Sequence, residues 1–117
     1  MTNGPAGSQE TLDIASVGRL AARFALLGDP LRLQIVQALA REQLCTCHLM
    51  EITGAKQTTI SHHLRLLRDA GAVTGEADGR FTWYRLEPSA FSQVIPELRD
   101  LAEHARSAPR LRPACAA

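Results

Sequence analysis

A length of 117 residues allows one domain, and 45% hydrophobic residues with only 4% aromatics give it a core of Leu, Ile, Val and Ala. A formal net charge of +1 excludes binding to a polyanion by bulk charge, so any basic surface is local, and Lys56 is the only lysine beside the arginines. No apolar run near the N-terminus is long enough for a signal peptide or a membrane span, which points to a cytoplasmic chain. Thiols stay reduced there, so three cysteines read as metal or redox groups rather than disulfides.

Residues 1–10 are rich in Gly, Ser, Asn and Pro and are expected to be disordered. The folded domain is expected over 11–106. From Leu12 the pattern is helical, with Val17, Leu20, Ala21, Phe24 and Leu27 in one stripe and Gly28 as its end. Asp29 is a cap and Pro30 a first-turn residue for a second helix, whose inner line is Leu31, Ile35 and Leu39. Arg41 to Gln43 form its exit. Leu44, Cys45 and Thr46 read as a short, extended piece. A third helix runs from about Cys47 to Thr53, Gly54, Ala55 and Lys56 turn the chain, and a fourth helix runs from Gln57 to Ala70. Two helices joined by a short Gly-containing turn make a helix-turn-helix.

The fourth helix is amphipathic. At about 100° per residue, Ile60, Leu64, Leu67 and Gly71 share one line while Thr58, His62, Arg65 and Asp69 lie opposite. Gln57, Thr58, Thr59, Ser61, His62 and Arg65 offer the hydroxyl, amide, imidazole and guanidinium groups that bond base edges and phosphates. His63 lies nearer the apolar line and reads as a packed histidine. The alternative, a solvated surface helix, is outweighed by the helix and turn that precede it.

Asp78 and Gly79 form a two-residue hairpin signal, followed by the β-rich run Phe81 to Leu86 with Tyr84 and Leu86 on one face. A hairpin directly after a recognition helix is a wing, and Arg80 at its tip is placed for a minor groove or a phosphate. Phe91, Val94, Ile95, Leu98, Leu101 and Ala102 supply a last apolar stripe. Pro96 is expected to divide it into a turn near Ser89–Gln93 and a helix from about Ile95 to Arg106. Residues 107–117, with Pro109, Pro113 and Cys115, read as a flexible tail. The fold class is therefore mainly α with a β-hairpin, a winged helix-turn-helix. Its first and last helices have spare stripes that suit a symmetric dimer on an operator of two half-sites.

Cys45 and Cys47 would point about 200° apart in a regular helix. They converge only where the backbone is extended or just entering a helix, which is where the pattern places them. A helix N-terminus also favours thiolate. Soft thiolates select soft ions such as trivalent arsenic and antimony, which take three sulfurs. Zinc asks for four ligands, and no clean Cys and His set stands nearby.

Three stretches carry a family resemblance. Glu42–Leu49 resembles the Glu-Leu-Cys-Val-Cys-Asp-Leu motif of the ArsR family of bacterial metal-responsive repressors. Thr58–Gly71, with Ile60, Ser61, His62, His63, Leu64 and Leu67, resembles that family's recognition helix, and Ala25–Leu39, with Asp29, Pro30, Leu31 and Arg32, its second-helix entry. The resemblance covers about residues 15–104. It implies a homodimeric repressor that leaves double-stranded operator DNA when arsenite or antimonite binds, with no organic cofactor and no membrane. The family's founding arsenic site has a third cysteine where this chain has Met50, and an acid where it has His48. Cys115, the remaining thiol, is the candidate third ligand beside Cys45 and Cys47, with His48, Met50 and solvent as alternatives. The family's zinc site of Asp and His on the last helix is not reproduced, since Asp100, Glu103 and His104 have another spacing.

Three other readings remain open: a cadmium or lead sensor, a thiol redox switch on the same cysteines, and a winged-helix module that docks protein instead of DNA. The polar face of Thr58, His62 and Arg65 argues against the last, since a docking face is more apolar. An enzyme has least support, because Cys45 or Cys47 with His48 lacks an oxyanion site and a substrate pocket.

Overall fold

In the computed structural model, which describes residues 13–115, four helices precede an antiparallel hairpin and two helical pieces follow it. The expectation for residues 1–10 lies outside the described residues. Helix α1 spans Ile14–Leu27. Its cap is Asp13, whose carboxylate accepts from the Ala15 N–H at 3.1 Å and the Ser16 hydroxyl at 2.9 Å. Those bonds, Ser16's first, hold the Asp13 carboxyl below its ordinary pKa. None of α1 is buried.

Helix α2, Pro30–Leu39, starts as the sequence suggests, with Asp29 as cap and Pro30 in the first turn. Ile35 and Leu39 are buried, whereas Leu31 is half-buried. Helix α3, Thr46–Thr53, begins one residue before the expected start, because Cys45 is its extended cap. Helix α4 spans Gln57–Asp69. The turn between them is closed by local bonds. Gly54 adopts φ +76° and donates to the Met50 carbonyl at 2.8 Å. The Thr53 hydroxyl donates to Leu49 O at 2.7 Å and accepts from the Ala55 N–H at 3.1 Å.

Strands β1, Val73–Asp78, and β2, Phe81–Leu86, pair antiparallel from Val73 opposite Leu86 to Asp78 opposite Phe81. The loop is therefore Gly79 and Arg80, one residue later than the expected Asp78 and Gly79. Asp78 still pairs in the ladder, and Gly79 supplies the positive φ, +62°, at the first loop position. Leu44 extends the sheet, exchanging both backbone hydrogen bonds with Tyr84 at 3.2 and 2.9 Å.

Helix α5, Ser89–Ser92, and helix α6, Val94–Arg106, are separated at Gln93. Pro96 falls in the first turn of α6, where an N–H has no helical acceptor to lose, so the proline costs little there. The tail after Ser107 has no regular secondary structure and is exposed through Cys115.

The core lies under the helix-turn-helix. Ile35, Leu39, Leu44, Leu49, Ile60, Leu64, Leu67, Ala72, Val73 and Ala90 form one buried cluster, drawn from α2, α3, α4, the foot of β1 and α5. The stripes of α1 and α6 stay outside it: Ile14, Val17, Ile95 and Leu101 are all more than half exposed.

Candidate nucleic-acid interface and thiol site

The inner line of α4 anchors it. Ile60, Leu64 and Leu67 are buried, so the opposite face is presented outward by geometry. Gln57, Thr58, Ser61, His62 and Arg65 are exposed and Thr59 is half-buried. Arg65 Nη2 donates to His62 Nδ1 at 3.3 Å, so two of the groups are pre-oriented on one another. Arg80 is exposed at the hairpin tip. Lys56, read from the sequence as a turn residue, is the exposed cap of α4 and sets the chain's only lysine ammonium beside Gln57 and Thr58. The signal was present in a lone cation preceding a polar helix start. His63 is turned inward, with 13% of its side chain exposed, as its position nearer the apolar line suggests.

The two thiols sit in different surroundings. Cys45 is 4% exposed with extended backbone, and Cys47 is exposed in the first turn of α3. The Cys45 N–H donates to His48 Nδ1 at 3.0 Å, while the Cys45 carbonyl accepts from the N–H groups of His48 and Leu49. The His48 ring in turn lies 5.6 Å from Trp83 of β2. Burial pushes the Cys45 thiol above the ordinary thiol range, and the charges of Cys47 and Asp78 add to it. For Cys45 this overturns the expected lowering at a helix N-terminus. Its side chain has left water for the core edge, and the desolvation of a thiolate outweighs the helix dipole there.

Among the described residues, no three His, Cys, Asp or Glu side chains gather closely enough to hold a metal ion. Cys115 is exposed on the tail and does not gather with Cys45 and Cys47 in this structure. Of the other third-ligand candidates, His48 has Nδ1 engaged by the Cys45 N–H, and Met50 packs half-buried against the core. On α6, His104 turns Nδ1 to its own helix's Asp100 carbonyl at 2.7 Å, and Glu103 pairs with Arg106 at 3.7 Å, as solvated helix residues do.

Residues 29–74 match the family described as bacterial regulatory protein, arsR family. That stretch runs from the cap of α2 to the foot of β1 and takes in both the thiol pair and α4. Over 95 residues the chain is 34% identical to the transcriptional repressor SmtB homolog of Synechocystis sp., covering 81% of this chain and 70% of that protein. The chain belongs to the arsR family of bacterial regulatory proteins. This arsR-family chain is also 35% identical over 83 residues to the arsenical resistance operon repressor of Staphylococcus aureus, covering 71% of this chain and 80% of that protein. A solved structure of a possible transcriptional regulator for arsenical resistance superposes with a TM-score of 0.62 at 30% identity, covering 75% of this chain and 97% of that one. The winged helix-turn-helix of the arsR-family chain is thus shared with known regulators. Among the described residues no helix is long and apolar enough to cross a membrane.

Proposed function

We propose that the chain is a cytoplasmic, homodimeric transcriptional repressor that releases double-stranded operator DNA when trivalent arsenic or antimony is held by its cysteines. The observation that carries this reading is the place of Cys45. It caps the first helix of the helix-turn-helix, and its neighbour Leu44 is bonded through both backbone groups to the wing strand at Tyr84. One short segment therefore joins the wing to α3, the helix that packs against α4. The arsenical names of two relatives support the choice of ion.

In this reading Gln57, Thr58, Thr59, Ser61, His62 and Arg65 contact DNA from α4, and Arg80 contacts it from the wing. The exposed stripes of α1 and α6 pair across a two-fold axis, which places two copies of α4 about one DNA turn apart. Residues 11–106 form this unit and 107–117 its tail. Cys45 and Cys47 are the core ligands and Cys115 completes the set, from its own chain or its partner. The donor chemistry suits a soft ion, which supplies a link between sulfurs that have given up their protons. To take part, Cys45 must leave its buried position. That strains the Cys45 N–H bond to His48 and the Leu44 pairing with Tyr84, so α3 and the wing shift together. A coupling of about 1–3 kcal/mol is enough to relieve repression.

Two substitutions test the assignment. Arg65→Ala is expected to weaken operator binding by about 1–3 kcal/mol if the guanidinium reads a base. If it meets only phosphate, the loss is the same on any sequence and the salt dependence is shallower. Unchanged affinity for both selected and random duplexes removes α4 from the interface. Cys115→Ser is expected to raise the arsenite needed for release and to lower the sulfur count around arsenic in X-ray absorption. If both match the parent, the tail takes no part and an outside thiol or water fills the third position.

A further inference from the structure

The buried contacts of α4 are apolar and set which face points inward; directional hydrogen bonds constrain its rotation more finely. A polar bracket on its flank supplies that constraint. Arg32 of α2 donates through Nε to the Leu26 carbonyl at 2.7 Å, through Nη2 to the Ala25 carbonyl at 3.2 Å and through Nη1 to His63 Nδ1 at 3.2 Å. One guanidinium thereby joins the C-terminal turn of α1, the start of α2 and the middle of α4. On its other side the His63 ring presents Nε2 to Asp29 Oδ2, 3.6 Å away. Asp29 is itself tied down, as the cap that accepts from the Arg32 N–H.

The protonation state of His63 follows from its partners. A guanidinium only donates, so Nδ1 is the accepting nitrogen and the ring hydrogen sits on Nε2, toward Asp29. The charged and titratable groups facing the ring are Asp29 and Arg32 from α2 and its cap, and His62 from α4. A second proton would enter at Nδ1, where it would meet an N–H donor and a fixed positive charge.

We propose that His63 is a positioning residue for DNA binding: neutral, it locks α4 through Arg32 to the end of α1, and protonated, it releases that lock. The proposal rests on the reading of α4 as the DNA-contacting helix. It gives the operator affinity an acid limit that the thiols do not set. Burial lowers the His63 pKa below the ordinary histidine range, Asp29 opposes that, and Arg32 and His62 reinforce it. The folded state is therefore fully favoured above the ordinary histidine pKa. It loses that advantage as pH falls toward the lowered value, because the unfolded chain binds the proton first.

The test uses the full chain and a duplex selected by the parent from a random-sequence pool. His63→Ala removes the bracket and is expected to weaken binding about 5- to 30-fold near pH 7.5, the size of one lost charge-assisted hydrogen bond. His63→Gln keeps an acceptor for Arg32 and a donor for Asp29 without titrating, so it stays within about twofold of the parent. As the pH falls from about 7.5 through the ordinary histidine range and below it, the parent then loses affinity progressively relative to His63→Gln. The other histidines are common to both proteins. A ratio that does not change with pH overturns the proposal. Amide hydrogen exchange along α4 without DNA gives an independent reading: the parent loses protection in acid and His63→Gln keeps it. Equal loss in the two overturns the lock whatever the duplex shows. Failure of the DNA reading looks different, since Arg65→Ala would then bind as the parent does while the exchange result stands.

Discussion

Truncating Leu67 to alanine is expected to lower the unfolding free energy by about 2–5 kcal/mol. Leu67 is fully buried on the inner line of α4, within the cluster that joins α2, α3 and the foot of β1. The removed methyl groups leave a void that these elements cannot close without moving α4. A domain of this size has about 5–15 kcal/mol of stability in all, so the loss is a large share of it. Urea denaturation should show a lower midpoint with an unchanged slope. Leu98→Ala on α6 is the control, because Leu98 is 44% exposed in the single chain. In the proposed dimer its effect should appear as a stronger dependence of stability on protein concentration, because that reading places Leu98 at the seam between copies rather than in the core. Equal effects from the two substitutions would place the core elsewhere.

The second large effect is loss of response. Cys47→Ser is expected to bind the operator as the parent does and to remain bound at inducer concentrations that strip the parent. Cys47 is exposed, so a hydroxyl in its place leaves the fold alone. Cys45→Ser should also lose the response, with a small stability cost added, because a buried thiol becomes a hydroxyl that needs a partner. Fluorescence anisotropy of a labelled duplex reads both. Loss of DNA binding by the untreated Cys47→Ser variant would make that thiol structural. A parent-like response would remove it from the ligand set.

Much of this fold is legible in the chain because its signals are local. Asp29 before Pro30 marks a helix start, and the period of Ile60, Leu64 and Leu67 fixes which face of α4 is buried. The loop of the hairpin lies one residue beyond its sequence signal, since Asp78 and Gly79 carry the composition of a turn but Asp78 still pairs with Phe81. Local composition does not reveal how far a ladder runs. The thiol pair is legible only in part. Spacing located Cys45 and Cys47 at a helix entry, but Cys45 is buried by its neighbours in the fold, and its raised pKa follows from that rather than from the helix end. The bracket of Arg32, His63 and Asp29 was invisible for the same reason: Arg32 and His63 are 31 residues apart in the chain.

The most direct measurement is a titration of the parent protein on its selected duplex with arsenite, antimonite, cadmium, lead and zinc in turn, under reducing conditions. The expected result is release by arsenite and antimonite at concentrations well below those of the divalent ions, with Cys47→Ser held on the duplex throughout. Release by cadmium or lead ahead of arsenite, or a duplex that stays bound at saturating arsenite, would contradict it.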